Sequence, residues 1–91
     1  MLYPKEPSLY VYLWKHMKKE AIRNVISPNS LRKSYKKVIH TAPITLYWMI
    51  TLDFMEMGLL KRLNKQNFFL LKENCSIKKK LKRLEEKTFF V

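Results

Sequence analysis

The chain is 91 residues long, the size of one small domain, and 47% of its residues are hydrophobic, which excludes a disordered polycation. Nineteen lysines and arginines against seven aspartates and glutamates give a net charge of +12, which favours a polyanionic partner, either nucleic acid or an anionic membrane surface. One cysteine, Cys75, excludes an internal disulfide, and residues 1–8 lack an apolar signal-peptide region. We therefore expect a cytoplasmic protein associated with the nucleoid, or a nuclear one in a eukaryote.

The charge is distributed in three blocks. Residues 1–41 carry nine basic and two acidic side chains, and residues 61–91 carry ten basic and three acidic ones. Residues 42–60 between them carry no basic residue and two acids, Asp53 and Glu56. Any function must therefore explain an apolar, slightly acidic segment between two basic ones.

The first predicted element is an amphipathic helix that Ser8 can cap and that runs to about Asn24. Its apolar face has the i, i+4, i+8 spacing of Leu9, Leu13 and Met17. The segment Val25–Ile26 follows as either a short strand or the entrance to a turn.

A second amphipathic helix is predicted to begin at Ser27-Pro28. Serine is a good N-cap, and proline is well tolerated as the first helical residue, because the backbone N–H there makes no hydrogen bond within the helix. This helix ends near His40. Its apolar face contains Leu31, Tyr35, Val38 and Ile39. Its opposite face is basic and contains Arg32, Lys33, Lys36 and Lys37.

A third helix is capped by Thr41, has Pro43 in its first turn and runs to Met57. It stops at Gly58, the only glycine, where a left-handed residue commonly ends a helix. The side that we expect to face the core contains Pro43, Leu46, Tyr47, Ile50, Phe54 and Met57. A second apolar side contains Ile44, Trp48, Leu52 and Met55. A helix that is apolar on two sides is expected to be buried on two sides. The second side can be covered by a protein partner (a second copy of the chain or another protein), by the ends of this chain, or by DNA.

Two short strand-like runs, Leu59–Leu63 and Phe68–Lys72, flank a turn rich in asparagine and predict a β-hairpin. A last helix follows a cap at Asn74 or Ser76 and is strongly basic. Its narrow apolar stripe contains Ile77, Leu81 and Leu84. The apolar end of the chain, Thr88–Val91, must pack internally or on a partner.

The junction between the third helix and the hairpin carries a recognisable pattern. Phe54 lies four residues before Gly58, which is followed by the apolar pair Leu59-Leu60 and the basic pair Lys61-Arg62. After two preceding helices, this pattern resembles the recognition helix and wing of winged helix-turn-helix DNA-binding domains.

The resemblance implies a mainly α fold with a small β-hairpin, in a single domain of residues 1–91 with its core at about 8–73 and a basic helix at about 76–87. It places helix 43–57 in the DNA major groove and the hairpin on the backbone or minor groove. The matching base-reading residues are Thr45, Trp48, Met49 and Leu52. This helix departs from the pattern, since it has no Arg, Lys, Asn, Gln or Ser to read base edges.

The sequence shows no enzyme signature and no cofactor site. With one cysteine and two histidines, His16 and His40, it cannot assemble a four-ligand zinc site within the chain. Asp53 and Glu56 lie at i, i+3 on one helix, and we expect them to pair with nearby lysines. No glycine-rich loop is present to bind phosphate. Residues 42–60 lack basic groups, but their two acids, a proline and a glycine argue against a membrane span.

We therefore expect a non-enzymatic nucleic-acid-binding protein that favours DNA over RNA, a small transcription regulator or architectural protein acting as a dimer. The alternative is an adaptor or subunit of a larger complex, whose helix 43–57 docks on protein and whose basic faces bind RNA. The predicted nucleic-acid contacts are Arg32, Lys33, Lys36, Lys37, Thr45, Lys61, Arg62, Lys65, Lys78, Lys79 and Arg83. The predicted protein interface contains Ile44, Trp48, Leu52, Met55, Ile77, Leu81 and Leu84.

Overall fold

The computed structural model describes residues 9–40, 43–72 and 74–87. These ranges form four helices and a small antiparallel sheet. In chain order the elements are α1 (Leu9–Glu20), β1 (Val25–Ile26), α2 (Pro28–Ile39), α3 (Ile44–Glu56), β2 (Leu60–Arg62), β3 (Phe68–Leu70) and α4 (Ser76–Lys87). The prediction of a mainly helical chain with a β-hairpin is confirmed.

β3 is the central strand of the sheet, with β1 on one side and β2 on the other. In the β2–β3 hairpin, Leu60 pairs with Leu70 and Arg62 with Phe68. On the other edge of β3, Ile26 of β1 also pairs with Phe68. Val25–Ile26, which the sequence predicted as either a short strand or the entrance to a turn, is therefore a strand. It connects the start of α2 to the hairpin.

α1 ends at Glu20, so the prediction that it continues to Asn24 is wrong. The chain reverses direction after α1, and this reversal lets β1 pair antiparallel with β3. Ile22 and Val25 exchange two backbone hydrogen bonds of 2.9 and 3.0 Å. Between them, Arg23 and Asn24 have φ angles of 54° and 66°, and a type I′ turn requires positive φ at both of its central residues.

The predicted start of α2 is confirmed. The Ser27 side chain accepts a hydrogen bond from a backbone N–H in the first turn, and Pro28 is the first helical residue. At the start of α3, Pro43 occupies the capping position and makes no side-chain hydrogen bond there. The caps predicted at Ser8 and Thr41 lie outside the described residues, as does the apolar segment 88–91.

The end of α3 follows the prediction to within one residue, since the helix ends at Glu56 and Gly58 has a left-handed φ of 77°. Gly58 N donates to Met55 O at 3.0 Å, and Leu59 N donates to Phe54 O at 2.9 Å. These two bonds form a Schellman motif, which satisfies carbonyl groups that the helix end would leave unpaired. The motif directs the chain from α3 into β2.

The hairpin turn is closed by Asn64. Its Oδ1 atom accepts hydrogen bonds from Gln66 N at 2.7 Å and from Asn67 N at 2.9 Å. Leu63 N also donates to Asn67 O at 3.0 Å. The predicted hairpin is therefore present, although β2 and β3 are shorter than the runs expected from the sequence.

Phe54 of α3 is packed by aromatic residues of α1. The Tyr10 ring meets it edge-on with centres 5.5 Å apart, and the Trp14 ring lies 6.0 Å away. Both α1 residues are buried, and within the described part of the chain the Trp14 indole N–H has no hydrogen-bond partner. Aromatic packing thus joins α1 to α3.

α4 completes the core and is not merely an appended basic helix. Ile77, Leu81 and Leu84 are 3%, 4% and 0% exposed, and α4 packs against α1. Glu85 Oε2 accepts a hydrogen bond of 2.9 Å from Tyr10 N in the first turn of α1, where backbone N–H groups lack helical partners and negative charge is favourable. The prediction that Ile77, Leu81 and Leu84 form a protein interface is wrong, because these residues are buried inside the domain.

Replacing Gly58 by alanine should lower the free energy of unfolding by about 1–2 kcal/mol, because L-residues are strained in the left-handed region. Crowding should contribute little, since a Cβ at Gly58 would meet the Lys80 Nζ atom at 3.7 Å, an ordinary contact distance. Gly58→Asn should lose less, because asparagine tolerates this conformation better. Urea denaturation measures both losses, and equal losses would show that backbone strain is not the cause.

Candidate nucleic-acid interface

α2 has one buried face and one basic face. Leu31, Ser34 and Tyr35 are 0% exposed on the inward side. The exposed side presents four predicted phosphate contacts, Arg32, Lys33, Lys36 and Lys37. Their i, i+1, i+4, i+5 spacing places these cations on one side of the helix. The α2 cluster is therefore exposed on one side of the helix.

The hairpin presents a second exposed basic cluster, Lys61, Arg62 and Lys65. The Arg62 guanidinium carbon lies 5.2 Å from the centre of the Phe68 ring, which belongs to its cross-strand partner. This cation–π contact restrains the guanidinium. Its remaining N–H groups can still donate to phosphate oxygens.

A buried polar contact joins α2 to α3. The Tyr35 and Tyr47 rings are 5.6 Å apart, and the Tyr35 hydroxyl lies 2.9 Å from Thr51 Oγ1. Thr51 donates its one hydroxyl hydrogen to the Tyr47 carbonyl at 2.7 Å, so Tyr35 is the donor to Thr51. Burial raises the pKa of the Tyr35 phenol far above its ordinary value. Sequence reasoning missed Thr51, and the available signal was a hydroxyl on the inward side of an apolar helix.

Tyr47, in the first turn of α3, has a phenol on which one charge from each of the two basic clusters acts. Burial raises the pKa of its phenol, and the positive charges of Arg62 and Arg32 act in the opposite direction. Arg32 belongs to α2 and Arg62 to β2, yet both lie close enough to influence the same phenol. Two predicted contacts on separate elements thus act electrostatically on the same phenol.

The basic residues of α4 lie in a different region. The predicted contacts there are Lys78, Lys79 and Arg83, and all three are exposed. On the same helix, Lys80 Nζ lies beside Gly58, after the last turn of α3, where positive charge interacts favourably with the helix carbonyls.

α3 turns an apolar face to solvent. The exposed fractions are 53% for Ile44, 40% for Trp48, 55% for Met49 and 57% for Leu52. Thr45 is exposed beside them, whereas Met55, predicted as an interface residue, is half-buried against the core. Pro43, expected on the core side, is exposed. α4 packs on α1, and the expected burial of α3 on two sides is not found among the described residues.

Asp53 is bonded to a tyrosine. Its Oδ2 atom accepts a hydrogen bond of 2.8 Å from the Tyr10 hydroxyl. The prediction that Asp53 pairs with a lysine is wrong, because α1 brings Tyr10 to it from far away in sequence. This acid therefore contributes to packing α1 on α3.

Two negative findings concern residues 9–40, 43–72 and 74–87 only. No group of three or more His, Cys, Asp or Glu side chains is placed there to hold a metal ion. The longest helix in these ranges, α3, has 13 residues, whereas a bilayer span needs about 20. None of the helices in this part of the chain is both long and apolar enough to cross a membrane.

Tyr35→Phe should lower the free energy of unfolding by about 1 kcal/mol at neutral pH, because a buried hydrogen bond is lost. Above about pH 10 the unfolded chain ionises Tyr35 while the folded protein keeps it neutral, so the wild type loses stability by about 1.4 kcal/mol per pH unit from this group. The variant lacks this loss, and its disadvantage should shrink as the pH rises.

Urea denaturation between neutral pH and pH 11 measures this difference. Tyr12→Phe is the control, because it removes an exposed tyrosine and leaves Tyr35 in place. The control should keep the steep alkaline loss of the wild type. A Tyr35→Phe curve parallel to the wild type at all pH values would contradict the prediction.

Comparison with known proteins identifies no relative. No protein-family model and no curated protein matches the sequence, and no solved structure matches the fold.

Proposed function

We propose that this chain is a non-enzymatic nucleic-acid-binding protein with a winged-helix fold, a small DNA-binding transcription regulator or architectural protein. Three helices followed by a β-hairpin support the fold, as does the left-handed Gly58 at the predicted junction. The net charge of +12 supports a polyanionic ligand.

The observation that carries the proposal is the pair of exposed basic clusters on α2 and the hairpin, whose Arg32 and Arg62 both act electrostatically on the Tyr47 phenol. Guanidinium groups bind phosphate oxygens through paired hydrogen bonds, and two of them on adjacent elements can contact neighbouring phosphates. Around them lie five exposed lysines of α2 and the hairpin, Lys33, Lys36, Lys37, Lys61 and Lys65. The α2 and hairpin clusters together form the phosphate-binding surface of the proposal.

Binding through phosphates implies strong salt dependence and weak sequence preference. Six to ten phosphate contacts make affinity fall about 10³- to 10⁵-fold between about 50 and 200 mM salt. The outward face of α3 has no Arg, Lys, Asn or Gln, the side chains that pair best with base edges. The cations therefore supply most of the affinity, and α3 supplies little duplex sequence readout.

The double variant Arg32→Glu plus Lys36→Glu should weaken duplex DNA binding by about 100-fold or more at low salt and reduce the salt slope by about 2, because two phosphate contacts are lost. Fluorescence anisotropy with a labelled duplex, titrated over the same salt range, measures both quantities. Circular dichroism verifies that the exposed substitutions leave the helices intact.

The matched control is Lys15→Glu plus Lys19→Glu, which reverses two exposed lysines of α1. Both double variants lower the net charge of +12 by the same amount. A difference between them therefore distinguishes binding at the α2 and hairpin clusters from non-specific attraction by the net charge. The control should lose far less affinity. Equal losses would refute the α2 and hairpin surface, and a wild type that binds neither duplex nor single-stranded DNA would refute the proposed function itself.

A further inference from the structure

Trp48 is the largest side chain on the outward face of α3, and 40% of it is exposed. Its ring meets the Tyr47 ring edge-to-face, with centres 5.1 Å apart and planes at 78°. Tyr47 is itself buried and packs on Tyr35 of α2, so it supports the indole from the inside. The indole therefore has an ordered neighbour while much of its surface faces solvent.

Exposed apolar side chains flank Trp48 along α3, and two arginine charges act on the tyrosine behind it. Along the helix, Ile44 one turn before it and Leu52 one turn after it are more than half exposed, at 53% and 57%. The positive charges of Arg32 and Arg62 act on the phenol of Tyr47, the residue that packs against the indole. An exposed indole thus lies on a tyrosine that is under the electrostatic influence of two exposed arginines.

This combination matches the chemistry of an unpaired base. Such a base has flat faces that stack on aromatic rings, and it has a phosphate on each side. A paired base hides its faces in the duplex and offers its edges, which α3 is poorly equipped to read.

We propose that Trp48 is a stacking platform for an unpaired base and that Arg32 and Arg62 bind the adjacent phosphates. The ligand of this surface is then single-stranded or locally unpaired nucleic acid. This substrate class rests on the proposed nucleic-acid function and narrows it. Base stacking would also explain why the outward face of α3 is apolar, which a helix that reads duplex base edges would not require.

A second copy of the chain fits this face less well. The four half-exposed apolar side chains of α3 offer on the order of 400 Å², about half of what each partner gives to a standard protein interface. A second copy would also bring another +12 charge, including the same two arginines, to this surface. A polyanion neutralises that charge.

The test compares binding of an oligothymidine of about 15 nucleotides, a length that spans typical single-strand sites, with binding of a duplex of equal length. Trp48→Ala should weaken oligothymidine binding by roughly 5- to 100-fold, since one stacked base contributes about that much. Its effect on the duplex should be much smaller. Trp48→Phe keeps an aromatic face and should retain most of the single-strand affinity.

Leu52→Ala is the matched control, because Leu52 lies one turn away on the same face, is similarly exposed and has no aromatic surface. It should leave oligothymidine binding nearly unchanged. Equal losses in Trp48→Ala and Leu52→Ala would overturn stacking. If light scattering shows that the wild type is a dimer and that both variants are monomers, the face binds a second copy of the chain. This result would also overturn the stacking proposal.

Tryptophan fluorescence gives an independent readout. The chain has two tryptophans, and Trp14 is 5% exposed. Because the Trp14 indole N–H has no partner among the described residues, Trp14→Phe should be tolerated and leaves Trp48 as the emitter. Oligothymidine should quench this emission and duplex should not. Unquenched emission at saturating oligothymidine would overturn the proposal.

Failure of the stacking proposal and failure of the proposed function give different results. If Arg32→Glu plus Lys36→Glu abolishes binding while Trp48→Ala changes nothing, phosphates bind without stacking, and only the inference is wrong. If the wild type binds neither oligothymidine nor duplex, the nucleic-acid function is wrong as well. Binding instead to phosphatidylserine-containing vesicles, lost in Trp48→Ala, would assign the face to an anionic membrane surface and overturn both.

Discussion

Tyr10 connects three helices through three parts of one residue. Its backbone N–H donates to Glu85 of α4, its hydroxyl donates to Asp53 of α3, and its ring packs edge-on against Phe54. A chain of 91 residues has a thin core, so few contacts determine how its helices are arranged. The orientation of α3, and with it the direction in which Trp48 faces, depends on this set of contacts.

α3 is the element that the core and the candidate interface share. Asp53 and Phe54 attach its second half to α1, and Tyr47 and Thr51 attach its first half to α2. Its inward side is therefore packed against α1 and α2 along the whole helix, and its outward side is exposed. This explains the charge pattern of the sequence, because α3 supplies packing on one side and an apolar surface on the other. The cations come from the flanking α2 and hairpin.

Signals that act within a few residues predicted the local structure well. The Ser27-Pro28 start of α2, the Gly58 end of α3 and the asparagine-rich hairpin turn each depend on neighbouring backbone groups. The failures involve distant partners. α1 ends early because β1 pairs with β3, and Asp53 bonds to a residue 43 positions away. An apolar stripe on α4 looks the same in sequence whether it faces the core or a partner. No local pattern reveals that Arg32 and Arg62 act on the same tyrosine.

The hydrogen bond between Glu85 and Tyr10 also determines when the protein can finish folding. The first turn of α1 receives its carboxylate partner from α4, and the apolar stripe of α4 packs on α1. During synthesis α1 emerges from the ribosome long before α4 does, and until then it lacks both its terminal partner and part of its packing surface. Of the four described helices, α1 is made first and is among the last to be completed, so this domain closes only after translation has passed α4.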